Sequence, residues 1–334
     1  MFKCTSLNKI FVVCPASKQA GGIELLHQLV YALNELGLKA YITYAKIKKG
    51  FPIINPVYER YVKNFKRFED IEDSTENIVI IPEALMDFAF KIKKAKLVIW
   101  WLSVDNYMQF YNPCREYKIP NLIAFLWYFK NRNWRFRLSK LKGRLPYNLA
   151  QSYYAIDFLK KQGFPNIEYL SDYINNDYQL ANPQKFKIRK DVVLYNPKKG
   201  KTFSKFLMNL DTSLKWIPLI NMNNKQIIDL LLSSKVYVDF GNHPGKDRFP
   251  REAAACGCCV ITGKKGAAKY HKDVPIPEKY KFSDSKDAGS AIIACIKNCF
   301  SNFNLYQADY AKYRAMISLE YDKFNKDIKK IFLE

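Results

Sequence analysis

Lys235-Val-Tyr-Val-Asp-Phe-Gly-Asn-His-Pro-Gly-Lys-Asp-Arg-Phe-Pro-Arg-Glu-Ala-Ala-Ala-Cys-Gly257, continued by Cys258-Cys-Val-Ile-Thr-Gly263, is the stretch that decides the fold. It reads as strand, loop, helix, strand. Val236, Val238 and Phe240 alternate and stop at Gly241, the period-two pattern of a short strand. The loop then holds Gly245, Lys246, Asp247 and Arg248. Asp247 suits an N-cap, and Pro250 fits a helix only in its first turn, where no N–H is required. The helix is short and alanine-rich, it stops at Gly257, and Val260-Ile261 supply the next apolar strand.

A helix start facing a loop of Gly, Lys and Arg is an anion site, because its free N–H groups and positive dipole end favour phosphate. Glu252 lies one short step inside that helix, where a carboxylate is placed to accept hydrogen bonds from sugar hydroxyls. Phosphate donors beside a hydroxyl acceptor suit a nucleoside diphosphate. The competing reading is a buried α/β crossover with a solvated basic loop.

Glu252-Ala-Ala-Ala-Cys-Gly257 resembles the second half of the donor-binding motif of GT-B glycosyltransferases, which reads roughly Glu, seven residues, then Glu-Ala-x-x-Cys-Gly. The resemblance implies that Glu252 contacts the donor ribose. Pro244 stands where the first Glu of that motif would fall. His243-Pro-Gly-Lys-Asp-Arg-Phe-Pro-Arg-Glu252 looks like a variant found in some bacterial polysaccharide glycosyltransferases. The implied fold is α/β of the GT-B type, two Rossmann-like domains of parallel sheets flanked by helices, facing a cleft. The implied donor residues here are His243, Gly245, Lys246, Arg248, Arg251 and Glu252. The missing Glu leaves open whether transfer retains or inverts configuration.

Composition sets the outer bounds. At 334 residues the chain is long enough for two ordinary domains, and 49% hydrophobic with 25% charged residues describes a folded globular protein. A net charge of +23 points to a polyanionic partner: nucleotide, nucleic acid or an anionic membrane surface. The eight Cys show no secreted spacing; Cys256, Cys258 and Cys259 cluster without completing a zinc set, and Cys295 and Cys299 share a helix face. They read as reduced structural thiols. No segment reaches the ~20 apolar residues that span a bilayer, and the run Ile10-Phe-Val-Val-Cys14 fits a first strand rather than a signal peptide. A cytoplasmic protein is expected, possible at the inner face of the membrane as a peripheral partner.

Taken in order, Lys9 to Pro15 is a buried strand, followed by Gly21-Gly22 and a helix carrying Ile23, Leu26, Leu29, Val30 and Leu33, closed by Gly37; Ala40 to Tyr44 is a second strand. This is a Rossmann-type opening without the G-x-G-x-x-G fingerprint. By resemblance, Gly21 and Gly22 lie across the cleft from the donor phosphates; a tight turn for packing is the alternative. Strands at Asn77–Pro82 and Leu97–Leu102 lead to Glu83 and to Ser103-Val-Asp105. Ligands of open α/β sheets bind outside the carboxyl ends of strands, so Asp105 is the first candidate for an acceptor base and Glu83 the second; either also suits a helix cap. His27, inside the first helix, reads as structural. Residues 122 to 147 set Trp134 and Phe136 among Lys130, Arg132, Arg135, Arg137, Lys140, Lys142 and Arg144. Basic residues beside aromatics suit an anionic lipid surface; an ordinary solvated face is the alternative. No RNP, KH or helix-turn-helix signature accompanies them, so nucleic acid is not the expected partner. Asn148 to Ala155 leads into a helix from Ile156 to Gln162, Ile167–Leu170 is a strand, and the Asn-rich Asp172 to Pro183 reads as a linker.

In the second half, Asp191-Val-Val-Leu-Tyr-Asn-Pro-Lys-Lys-Gly200 is a strand running into a basic glycine turn and a helix from Thr202. By resemblance Lys198 or Lys199 holds a cation against the donor diphosphate, a role Lys fills as a point charge. Trp216–Ile220 is a strand and Asn224–Ser234 a helix; Lys264-Lys-Gly266 is another basic glycine loop, expected to line the donor pocket. The expected domains are 1–175, binding the acceptor, and 176–310, binding the donor, with 311–334 a helix packing back on the first. The resemblance implies a glycosyltransferase moving sugar from a nucleotide-diphospho-sugar donor to a hydroxyl of a glycan or lipid-linked glycan, with no metal cofactor. A nucleic-acid-binding module and a catalytically inactive GT-B partner subunit are the rival readings.

Overall fold

The computed structural model describes residues 1–17, 19–47, 52–62, 64–111, 123, 138–183, 185–186 and 188–334. They form two compact units, Met1–Asp172 with Lys323–Glu334, and Tyr173–Asp322. Most of the basic aromatic stretch lies outside the described residues; of 122–147 only 123 and 138–147 fall within them.

The first unit is built on a seven-stranded sheet in the order β3-β2-β1-β4-β5-β6-β7. The strands are β1 Lys9–Pro15, β2 Lys39–Ala45, β3 Phe65–Arg67, β4 Ile78–Pro82, β5 Lys96–Trp101, β6 Tyr147–Ala150 and β7 Ile167–Tyr169. Every pairing is parallel. That follows from strands with apolar residues on both faces, such as Ile10–Cys14, which are fully buried. The helices flanking this sheet are α1 Gly21–Glu35, α2 Val104–Tyr111 and α3 Tyr153–Gln162. Ser103 and Ser152 cap α2 and α3, accepting from the N–H of Asn106 and Ala155 at 3.1 Å each. Gly163 closes α3 in the left-handed region.

The second unit carries a four-stranded parallel sheet, order β11-β10-β8-β9, from β8 Lys190–Tyr195, β9 Lys215–Pro218, β10 Ser234–Asp239 and β11 Cys259–Thr262. Its helices are α4 Lys201–Leu210, α5 Asn224–Ser233, α6 Arg248–Ala255, α7 Gly289–Ser301, α8 Phe303–Ala308 and α9 Ala311–Ser318. A last helix, α10 Glu320–Phe332, begins in the second unit and continues in the first. Val193, Leu194, Val236, Val238, Val260 and Ile261 meet Ile292 and Ile296 of α7 in the core. The buried Arg189 guanidinium donates to the carbonyls of Leu231, Ser234, Pro183 and Cys256. Gly257, at φ +89°, leaves it room: a Cβ there would lie 2.7 Å from Arg189 Nη2.

Several local expectations shift. The segment before Ile156 is a strand, β6, followed by a helix that starts at Tyr153, because Ser152 supplies the cap. The three-residue edge strand β3 is too short to show period-two patterning. Asp172–Pro183 contains a helical turn, Asn176–Gln179, whose Tyr178 is buried with Ile174 in the second core. Among the described residues, no helix is long and apolar enough to cross a membrane.

Candidate functional site

Three loops converge at the carboxyl edge of the second unit's sheet: Asn196–Gly200 after β8, Phe240–Asp247 after β10 and Gly263–Gly266 after β11. Glycine is required where they meet. Gly200 (φ +55°) has its missing Cβ position 2.2 Å from the Phe240 carbonyl oxygen, and that of Gly241 (φ +109°) is 2.6 Å from Gly200 N. Gly266 (φ +55°) abuts the His243 carbonyl in the same way, at 2.1 Å, while Ala267 N donates to that oxygen. Two helices start on this edge without a side-chain cap: α4 after Gly200 and α6 after Asp247. Uncapped helix starts beside glycine turns make an anion-binding edge.

Beneath the edge lies a buried polar cluster. Asp247 Oδ2 lies against two nitrogen groups, the Lys199 ammonium and His243 Nδ1, the latter at 2.8 Å and poorly aligned for a hydrogen bond. His243 Nε2 lies 3.2 Å from the Asp239 carbonyl oxygen and 3.9 Å from Asp239 Oδ1. Tyr237 donates to Asp239 Oδ2 at 2.9 Å. Among the described residues, Asp239 Oδ1, Thr262 Oγ1 and Asp284 Oδ1 are buried without a hydrogen-bond partner, and Asp284 Oδ2 accepts from Gly241 N and pairs with Lys265. Burial alone would lower the His243 pKa, but the Asp247 and Asp239 carboxylates outweigh it and raise it. Burial alone would push Asp247 up, yet Lys199 and His243 hold it below the usual range; burial raises Asp239 in spite of His243 and Lys199. Asp239, His243 and Asp247 bring one donor atom each within 4.8 Å of the others, a spacing that suits a metal. Lys199 pairs with the same Asp247 carboxylate.

A second network fixes the loop from behind. Glu320, at the start of α10, accepts from Lys246 Nζ at 2.7 Å and from Arg251 Nη1 at 2.8 Å. Arg251 also donates to the carbonyls of Lys246 and Asp247. All three side chains are buried.

The first unit has its own carboxyl edge. Gly21 and Gly22 open α1 after β1, and a Cβ on Gly22 would touch Leu102 Cδ1 at 3.4 Å. Glu83 follows β4 but is 1% exposed, accepts from Leu102 N at 2.8 Å, and is raised by burial to about 8. Asp105, in the first turn of α2, is half-buried and accepts from the Tyr154 hydroxyl at 2.7 Å. His27 is enclosed, with Nδ1 2.8 Å from the Ile23 carbonyl and Nε2 2.6 Å from the Tyr44 hydroxyl; burial lowers it to about 4.

No protein-family model matches the sequence, and no curated protein sequence matches it. Solved structures do match over nearly the whole chain. HepE of Anabaena, in complex with UDP, aligns with TM-score 0.64 at 12% identity, covering 97% of this chain and 99% of that one. Sucrose-phosphate synthase from Thermosynechococcus elongatus gives 0.64 at 12% identity over 97% and 98%, and a glycosyltransferase from Rickettsia africae gives 0.58 at 16% over 97% and 98%. The fold is GT-B.

Within the GT-B fold, the second unit gathers most of the donor residues expected from sequence. Lys198 is exposed, Lys199 and Arg248 are half-buried, and His243, Gly245 and Glu252 are buried in or behind the loop. Lys246 and Arg251 face Glu320, so their charges serve the loop's shape. Sequence reasoning missed the roles of four residues. Asp239 and Asp247 stand four residues either side of His243, a spacing that was there to be read. Asp284 and Glu320 had no local signal, since their partners lie 43, 69 and 74 residues away.

Proposed function

We propose that this GT-B chain transfers a sugar from a nucleotide-diphospho-sugar to a hydroxyl of a glycan or lipid-linked glycan, in the making of a bacterial surface polysaccharide or glycolipid. The observation that carries the reading is the convergence of two uncapped helix starts and three glycine loops on one sheet edge. HepE of Anabaena, which shares the fold, was solved with UDP and with UDP-glucose. On this reading the starts of α4 and α6, with Lys198, Lys199 and Arg248, neutralise the departing diphosphate, charge stabilisation that needs no added cation. Glu252 holds the ribose. Asp105 takes the acceptor proton in an inverting transfer; its partial exposure favours it over the enclosed Glu83. The stretch 122–147 is the proposed contact with an anionic membrane.

The test is calorimetric titration of the full chain with UDP, GDP, dTDP, ADP and CMP. One nucleotide is expected to bind tightly, and Glu252→Ala to weaken it at least tenfold, about 1.4 kcal/mol. Asp105→Asn is expected to keep that binding and lose sugar transfer. If none of the five binds at millimolar concentration, the donor site is misassigned.

A further inference from the structure

Asp247 sits at the N-cap of α6, yet its side chain makes no capping hydrogen bond to that helix. It is instead faced by two nitrogen groups, the Lys199 ammonium and His243 Nδ1. Lys199 has a flexible stem, and its side chain is 24% exposed. His243 is fully enclosed, and Nε2 is anchored on the Asp239 carbonyl. Both ring nitrogens therefore face oxygen acceptors, the Asp239 carbonyl and carboxylate on one side and the Asp247 carboxylate on the other. The arrangement favours the doubly protonated ring, and the neighbouring Lys199 charge opposes it.

We propose that Lys199 is a parked cation: a diphosphate docked against the starts of α4 and α6 draws Lys199 away from Asp247, and His243 takes up a proton from water at Nδ1 to hold that carboxylate in its place. Diphosphate binding at this edge is thereby coupled to proton uptake. The inference rests on the donor-site reading above. A buried carboxylate left without a cation is strongly disfavoured, so the departure of Lys199 needs a replacement charge. Lys suits the moving part, being a point charge on a long stem. The charged groups facing His243 are Asp239, Asp247 and Lys199; Tyr237 acts through Asp239, and the Gly266–Lys269 segment meets it through the backbone of Ala267. Below the pKa of His243 in the unliganded protein the proton is already bound and uptake is small. Uptake grows as pH rises above it, on the alkaline side of an ordinary histidine at about 6.5.

The experiment is titration of UDP, and separately of inorganic pyrophosphate, into the full chain in two buffers of different ionisation heat over a pH series. Binding heats are expected to differ between the buffers by an amount equivalent to as much as one proton taken up per site, and by more at higher pH. Lys199→Met is expected to weaken both ligands tenfold or more and to abolish the uptake. Asp247→Asn removes the parking carboxylate, so binding is expected to be at least as tight, with no uptake; near-UV circular dichroism checks that the variant is folded. Binding whose heat is the same in both buffers at every pH would overturn the proton coupling alone. Weakening by Asp247→Asn comparable to that by Lys199→Met would overturn the parking role. If neither ligand binds the unmodified chain, the donor-site reading fails together with this one. Should Asp247→Asn misfold, the two-buffer comparison on the unmodified chain still decides.

Discussion

Glu83 shows how a sequence position and a chemical role come apart. It follows β4 at the carboxyl edge, where a base would be sought, but its oxygen is spent on the Leu102 N–H inside the protein. Burial lifts its pKa from 4.5 to about 8. The folded chain therefore keeps a proton that the unfolded chain loses first, and Glu83 makes stability fall as pH rises from about 4.5 to about 8. Glu83→Gln keeps an acceptor for Leu102 and removes the titration. Its unfolding free energy is expected to match the parent near the acid end of that window and to exceed it increasingly toward the alkaline end, by a few kcal/mol at most. A difference that does not change with pH would refute the buried-acid assignment. Glu252 and Lys199 were singled out in the sequence because short motifs place them. The role of Lys246 was not legible there, since its charge is claimed by Glu320, 74 residues further along.

At the scale of elements, α6 and its loop depend on distant supports. Glu320 bridges Lys246 and Arg251 at distances of 2.7 and 2.8 Å, all three side chains being buried. Removing one member of a buried ion group leaves the others uncompensated, at a cost of about 3–5 kcal/mol. Glu320→Ala is expected to lower the unfolding free energy of the second unit, read from urea denaturation, by that amount; a change below about 1 kcal/mol would show that the two cations find other partners. The strand–loop–helix–strand core of this region was readable because period-two alternation, an N-cap residue and a closing glycine coincide within thirty residues or so. The edge strand β3 and strand β6 were not, since Phe65-Lys-Arg67 and Tyr147-Asn-Leu-Ala150 interrupt their few apolar residues with polar ones and show no run of β-branched residues.

For the whole molecule, the two-domain α/β architecture could be read from the order of apolar strands and helices, and the nearly full-length structural matches bear out the GT-B fold. The composition of the units is settled by contacts far apart in sequence. Residues 323–334 count with 1–172. Phe2 N donates to the Ile331 carbonyl at 2.9 Å, Cys4 N donates to that of Phe332, and the rings of Phe2 and Phe332 stack. Phe324, Ile328, Ile331 and Phe332 are all at most 2% exposed. Burying side chains of this size contributes about 1.5–3 kcal/mol each, so the four together rival the ~5–15 kcal/mol stability of a typical domain. A chain ending at Asp322 is therefore expected to lose the thermal transition of the first unit and retain that of the second. Two intact transitions would show that the terminal segment contributes little.

The same segment has a consequence during synthesis. A ribosome makes residues 1–172, then the 150 residues of Tyr173–Asp322, and only then the segment that completes the first unit. At ~5–20 residues per second, the first unit waits on the order of 10 s or more with the apolar surface around Phe2 uncovered. The second unit, continuous in sequence, can close before the first is finished. Emergence from the ribosome and order of folding thus run in opposite directions, and the interval is one in which a chaperone that shields apolar surface would be most useful to this chain.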